Sequence, residues 1–568
     1  MFGIIQELKM KKGVLIAILV LVIIIVFLAL TVGYVYMQFT GEPAVADNSI
    51  LRIDLSGEIV DSDDSFFSKK YSIRELWYHI KRAKNDDRIK GMILKISHLQ
   101  TGFAKVEDLG RLLKDFRRSG KKVYAYIEGG GLREYFLATF ADKVFAYNGA
   151  SLILNGLVAE AIFLKETFSK IGIEVEYYHI GKYKTAANMF TEDGFTPPHE
   201  ESLQKLIDDI FAAIIEKIAI NRNINKDIVR KTIADFSFSC DSYVTSKLID
   251  KLMYEDEVLK EFKEEYKVLD FDIYKETTSP LPYLGQDKVA VIFASGEIRS
   301  GHSGGQALLG GSVLGSDTLT EQLRTVRKDP MVKAVVLRVD SPGGSPFASD
   351  AIRREAELLI EKKPLVISMS DVAASGGYQV AMSSSKILAL PQTITGSIGV
   401  LGGKFIFREL YKKIGVKKAT LKTSKYADWF SDYRPFSKDE KNKLMILMRD
   451  IYDSFVALVA KSRKMKIEEV EEISQGRVWS GQAALELNLV DQDGGLLDAI
   501  DEAKKLAQIP AAKTVGISIY PRKKSLLDMV NEFIGSQGGN PLLHIKSELS
   551  MYKKFFPALL LPYKLQID

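Results

Sequence analysis

The sequence predicts an α/β protein, with two tandem α/β domains following an N-terminal transmembrane helix. Three observations carry this reading: an uncharged apolar run near the N-terminus, a repeat of domain length, and short Val/Ile-rich segments alternating with amphipathic stretches inside each repeat. At 568 residues, 46% of them hydrophobic, the chain exceeds one ordinary domain and can fill two sizeable cores.

The apolar run comes first. No side chain from Gly13 to Gly41 is charged, and Val14 to Val32 is nearly all Leu, Ile, Val, Ala and Phe. A hydrocarbon core of about 30 Å needs roughly 20 helical residues, so residues 13–37 are long enough to span it, ending on the interfacial aromatics Tyr34 and Tyr36. A cleaved signal peptide is the rival reading, but its apolar region is ordinarily only about 7 to 15 residues. Lys9, Lys11 and Lys12 precede the run, whereas Glu42 and Asp47 follow it. The excess of positive charge leaves residues 1–12 in the cytoplasm. The expectation is a single-pass anchor in the cytoplasmic (inner) membrane, with the body on the periplasmic or extracytoplasmic side and the lipid bilayer met through residues 13–37.

The repeat follows. Ala83 to Ile96 (AKNDDRIKGMILKI) matches Val326 to Val339 (VRKDPMVKAVVLRV), a shift of 326 − 83 = 243 positions. Tyr135 and Tyr378, Lys143 and Lys386, and Gly156 and Gly399 keep that shift. Asp209 to Phe211 and Asp450 to Tyr452, then Leu248 to Asp250 and Leu489 to Asp491, stand 241 apart. The two copies are placed at 48–275 and 286–525, joined by a Thr/Ser/Pro-rich linker from Thr277 to Pro282. In each copy, runs such as Gly91 to Ile96 and Ala334 to Val339 read as strands of a parallel sheet covered on both faces. Leu76, Ile80 and Ala83, and again Leu319, Leu323 and Val326, recur at helical spacing. The tail, 526–568, breaks the pattern; docking on a neighbouring subunit and contact with lipid are open to it, and packing on the protein's own body is the plainer expectation.

Composition narrows the chemistry. Lys and Arg number 78 against 73 Asp and Glu, a net charge of +5 without one long basic tract, so nucleic-acid binding has no support. A single cysteine, Cys240, excludes an intrachain disulfide and a Cys-rich zinc site. The six histidines form no HExxH pair, so no metal is expected.

The second copy carries Asp340 to Gly344 (DSPGG) after one predicted strand, and Ala373 to Tyr378 (AASGGY) after another, Pro364 to Met369. A serine among small residues at a strand-to-helix turn can present its hydroxyl, and the amides of Gly376 and of Gly344 or Gly343 can face a developing oxyanion. The same pattern also suits a plain helix start with Ser375 as its N-cap. In the first copy, Leu132, Arg133 and Glu134 stand opposite Ser375, Gly376 and Gly377, so that copy has the frame without the nucleophile. Gly181 to Ala186 (GKYKTA) matches Ser424 to Trp429 (SKYADW): Lys182 has Lys425 as its counterpart, but Lys184 has Ala427. The scattered histidines offer no Ser-His-Asp set. A lysine serves as base when burial leaves its amine neutral; the alternative is that both lysines are solvated surface groups.

Taken together, DSPGG, AASGGY, Thr395 to Gly399 (TGSIG) and GKYKTA make the chain resemble the signal peptide peptidase A family in its long, duplicated form, over almost the whole length after the anchor. The resemblance implies two crotonase/ClpP-like domains (the caseinolytic-protease superfamily). It implies a serine endopeptidase whose Ser/Lys dyad degrades cleaved signal peptides and other apolar peptides in or near the membrane. It carries the nucleophile to Ser375, the general base to Lys184, the lysine-orienting hydroxyl to Ser397 and the oxyanion hole to Gly344 and Gly376. It further implies no cofactor and a homotetramer. Two other readings remain: a non-catalytic membrane scaffold, and an acyl-CoA-handling enzyme on the crotonase fold.

Overall fold

A computed structural model describes residues 45–62, 70–262, 266–277, 287–304, 312–510, 513, 515–521 and 559–560, with six positions (20, 24, 26–28 and 31) in the N-terminal apolar run. The anchor expected at 13–37 otherwise lies outside the described residues, as do most of the linker and of the tail. Among the described residues no helix is long and apolar enough to cross a membrane.

The first copy builds a parallel sheet in the order Tyr71–Ser72, Ser49–Val60, Ile89–Gln100, Lys122–Gly130, Lys143–Leu152, Lys251–Leu252, with Lys267–Asp270 also joined to Ser49–Val60. Its strands bury consecutive apolar residues, such as Met92, Ile93 and Leu94, because helices and loops cover both faces. Ile73–Lys84 is a typical covering helix: the Ser72 hydroxyl accepts the Glu75 amide at 3.2 Å, and Ile73, Leu76, Trp77, Ile80 and Ala83 are buried.

The second copy repeats the plan in the order Val478–Ser480, Ile394–Gly396, Leu365–Ala374, Val332–Ser341, Lys288–Ser295, Gly516–Tyr520. Here Val478–Ser480 is antiparallel to Ile394–Gly396, while the remaining pairings on this path are parallel. The strands run farther than their apolar centres suggested, Val332–Ser341 against the expected Ala334 to Val339, because backbone pairing continues into the polar ends that carry the loops.

The duplication is retained down to single bonds. Helices Phe103–Arg117 and Pro346–Ile360 are each 15 residues long, and Pro197–Arg222 and Lys438–Arg463 are each 26. The Tyr135 hydroxyl donates to the Leu248 carbonyl at 2.9 Å, and the Tyr378 hydroxyl to the Leu489 carbonyl at 2.8 Å.

The copies are not separate globules. One hydrophobic cluster holds Leu109, Leu113 and Phe136 of the first copy together with Val336, Val366, Leu388 and Ile500 of the second. Strand Glu174–Ile180 pairs antiparallel with Val400–Ile406, Ile180 opposite Val400. Leu559–Leu560 of the tail pairs antiparallel with Gly343–Gly344, so this part of the tail does lie on the body, against one edge of the DSPGG loop.

Candidate active site

Ser375 stands between strand Leu365–Ala374 and the short helix Gly376–Ala381. Its backbone, φ 55° and ψ −116°, is a conformation that side-chain-bearing residues rarely adopt. It is held there because its amide donates to the Gly396 carbonyl at 2.8 Å and its carbonyl accepts the Gln379 amide at 2.8 Å. Although Ser375 occupies the N-cap position, its hydroxyl caps nothing. Instead it lies 2.8 Å from Lys184 Nζ.

Lys184 arrives from the other copy. The register that sets Ile180 against Val400 places the chain after Ile180 beside the chain before Val400, and so beside Ser397. The loop is fastened by Tyr183, whose amide donates to the Gln475 carbonyl at 2.7 Å, and by the Lys184 amide, which donates to the Gly181 carbonyl at 3.2 Å. Gly476, at φ 77°, presses on this loop, and a Cβ there would lie 2.6 Å from the backbone nitrogen of Lys184.

The lysine Nζ lies 2.9 Å from Ser397 Oγ and 3.0 Å from the Ser397 carbonyl. Ser397, itself at φ 54°, is held by its amide donating to the Arg477 carbonyl at 2.7 Å. Lys184, Ser375 and Ser397 are all fully buried. Among the described residues every hydrogen-bond partner of the amine is a neutral oxygen, and burial pushes its pKa well below the ordinary lysine range. A neutral amine satisfies all three contacts by donating to the two Ser397 oxygens and accepting from the Ser375 hydroxyl.

The two candidate oxyanion glycines are neighbours of the serine: Gly376 follows Ser375 in the chain, and Gly344 lies next to Gly376. Gly344, at φ 153°, sits where a Cβ would strike the Ile298 carbonyl oxygen at 2.0 Å, so only glycine fits. A Cβ on Gly376 would lie 3.2 Å from the Gly344 nitrogen, which brings the two candidate donors together. The Gly343 amide already donates to Ser341 Oγ at 3.2 Å, which favours Gly344 of the two amides open in the sequence. As the first helical residue, Gly376 has no intrahelical acceptor for its amide.

The five residues singled out from the sequence thus come together. Lys182 does not join them: it is exposed, with Tyr183 and Glu201 as partners, and Lys425 is exposed beside Asp439. In the first copy the corresponding ground is filled, since Glu134 accepts from the Leu99 amide at 2.5 Å and the Gly131 amide at 2.7 Å. Sequence reasoning missed a charged cluster behind the site, Lys105, Asp340 and Asp371 with Arg338, Asp61 and Asp108. The helix that carries Lys105 and Asp108 also bears Glu107, Arg111, Lys114, Asp115 and Arg117, so nothing in its sequence set the buried charges apart from the solvated ones. Among the described residues no group of three or more His, Cys, Asp or Glu side chains is placed to hold a metal.

A serine hydroxyl against a buried amine, beside paired glycine amides on an α/β frame, is the equipment of an acyl-transfer hydrolase. The chain belongs to Peptidase family S49 and is a serine peptidase: the family model matches residues 115–269 and 357–510, one stretch in each copy. "Serine protease SPPA, chloroplastic" of Arabidopsis thaliana is 36% identical over 504 residues, covering 87% of this chain and 74% of that protein. "Protease 4" of Salmonella typhi is 30% identical over 516 residues, covering 84% and 81%. Among solved structures, a ClpP1 mutant from Listeria monocytogenes is similar over 37% of this chain and 94% of that one, at a TM-score of 0.24 and 14% identity.

Proposed function

We propose that the protein is a membrane-bound serine endopeptidase with a Ser/Lys dyad, degrading cleaved signal peptides and other apolar peptides. The observation that carries the mechanism is the 2.8 Å approach of Lys184 Nζ to Ser375 Oγ in a fully buried setting. Ser375 Oγ attacks the peptide carbonyl carbon while Lys184 takes the hydroxyl proton. The amides of Gly344 and Gly376 hold the oxyanion of the tetrahedral intermediate. As the C–N bond breaks, the lysine returns the proton to the leaving amine, and an acyl group stays on Ser375. A water molecule, deprotonated by the same lysine, then releases the carboxylic product. Ser397 keeps the amine aimed by accepting two of its hydrogen bonds.

The substrate reading draws support from the edge of Gly343–Gly344, which accepts an extended backbone in antiparallel pairing from Leu559–Leu560. A substrate peptide would take that edge in place of the tail, beside Gly376, the residue that follows Ser375. The uncharged run at 13–37 anchors the body on the extracytoplasmic face, close to signal sequences left after export. The working unit is a homotetramer of chains, each with an N-terminal unit at 48–275 and a C-terminal unit at 286–525.

The test is labelling of the full-length protein with a fluorophosphonate, alongside hydrolysis of a fluorogenic apolar peptide. The unmodified protein is expected to label on Ser375 and to turn over, whereas folded Ser375→Ala and Lys184→Ala lose activity by on the order of 10³-fold or more. Full peptidase activity in either folded variant sinks the assignment.

A further inference from the structure

The parallel ladder of the second sheet breaks at the place where accuracy matters most. Val332–Ser341 and Leu365–Ala374 stay in register through Val339 and Met369, lose it, and meet again only at Ser341 and Ala373. Asp340 therefore faces Ser370, Asp371 and Val372 across a bulge, where regular strand-to-strand bonds are absent. Immediately beyond the bulge, one strand runs into the Gly343–Gly344 turn and the other into Ser375. The distance between the oxyanion amides and the nucleophile depends on these two strand ends.

A side chain from the other copy bridges them. Lys105 Nζ lies 2.6 Å from Asp340 Oδ2 and 2.6 Å from Asp371 Oδ2, with Asp61 Oδ2 at 3.6 Å. The far ends of the bridge are fixed as well. Asp371 accepts the amides of Gly102 at 3.0 Å and Lys105 at 2.9 Å, so it also ties down the start of helix Phe103–Arg117. The other oxygen of Asp340 accepts the Val372 amide at 3.1 Å. Burial alone favours a neutral Lys105, but Asp340, Asp371 and Asp61 outweigh it and raise its pKa, so the ammonium stays charged. A charge-assisted contact of this kind is stronger than the neutral backbone bonds that it replaces.

We infer that Lys105 is a positioning residue for peptide hydrolysis: it clamps the Asp340 and Asp371 strand ends together and thereby sets the Gly344 amide at its working distance from Ser375. It touches neither substrate nor dyad. Its counterpart in the repeat, 243 positions on, is Ala348, so the clamp runs in one direction, from the first copy to the second. The inference rests on the roles proposed for Ser375 and Gly344.

The experiment uses the full chain with Lys105→Met, Lys105→Arg and Asp340→Asn. Each is measured for kcat and KM on the fluorogenic apolar peptide, and for affinity toward a peptide aldehyde, whose hemiacetal oxygen needs the oxyanion amides. Lys105→Met is expected to lower kcat by about 30-fold or more while KM changes by less than about threefold, with aldehyde affinity falling in step. Lys105→Arg should recover most of kcat, and Asp340→Asn should fall between. A kcat within about threefold of the unmodified protein in folded Lys105→Met overturns the clamp; if Lys105→Met does not fold, the same result in Asp340→Asn does so. A loss confined to KM overturns it too. Absence of fluorophosphonate label on Ser375 in the unmodified protein removes the underlying reading instead, so the two failures are told apart.

Discussion

Lys184 is a cost to folding as well as the proposed base. In the unfolded chain its amine holds a proton up to the ordinary lysine range, whereas in the native protein burial lowers its pKa far below that. Between those two values the unfolded state binds the extra proton, so this residue makes stability rise with pH. Lys184→Met fills a similar volume without an ionisable group. It is expected to be more stable than the unmodified protein near pH 7 by about 1 kcal/mol, with the difference shrinking as pH approaches the ordinary lysine range. Urea denaturation across that range checks the sign, and a pH-independent loss of stability would count against a neutral amine. In the unmodified protein, kcat/KM should rise with pH along a limb set by the lowered lysine pKa.

At the scale of elements, the site depends on two loops held at short range. The strand pair Glu174–Ile180 and Val400–Ile406 sets the lysine loop beside Ser397, and the turn at Gln475 and Gly476 closes over it. Gly476 has the left-handed φ that favours glycine, and an added Cβ would lie 2.6 Å from the Cβ and backbone nitrogen of Lys184. Gly476→Ala must therefore push the lysine loop away. We expect kcat to fall by on the order of 10- to 100-fold, as for a displacement of roughly 1 Å, and stability to drop by about 1–2 kcal/mol. Steady-state kinetics and thermal unfolding of the purified variant check both. Unchanged kcat would mean that the loop has slack. The first copy shows what the frame becomes without this chemistry: Leu132 replaces the serine, and the Glu134 carboxylate occupies the backbone amides nearby.

Across the whole molecule, the halves are joined through charge as well as apolar packing. Arg338, fully buried on the second sheet, reaches Asp61 at 3.0 Å and Asp108 at 2.8 Å in the first copy, and its remaining donors meet Ser368, Ser370 and the Met369 carbonyl. Replacing it with Met removes the guanidinium from two buried carboxylates, leaving Asp61 to Lys105 at 3.6 Å and Asp108 to the Leu496 amide at 2.9 Å. The expected cost is about 3–5 kcal/mol, because the loss is an uncompensated charge rather than one hydrogen bond. A shift in the urea midpoint of the full chain measures it, and a cost below about 1 kcal/mol would show that water or rearrangement relieves the carboxylates. Since both the proposed base and the proposed clamp come from the first copy, loosening this interface should also reduce turnover.

Much of this was legible in the chain itself. The spacing of 243 residues, the uninterrupted apolar strands and the positions of Ser375 and Lys184 in different copies follow from local patterns that survive duplication. Strand and helix periodicity are properties of neighbouring residues, and a missing counterpart such as Leu132 or Ala427 stands out by alignment alone. What only the tertiary structure decided is the set of partners lying hundreds of positions apart. These include the Ser341 hydroxyl on the Gly343 amide, which favours Gly344 as the proposed oxyanion donor, and the meeting of Lys105 with Asp340 and Asp371 across a bulge. They also include the burial of Lys184, which separates a candidate base from a solvated lysine. Each of these depends on strand register and on the packing of one copy against the other, and neither leaves a periodic trace in the sequence.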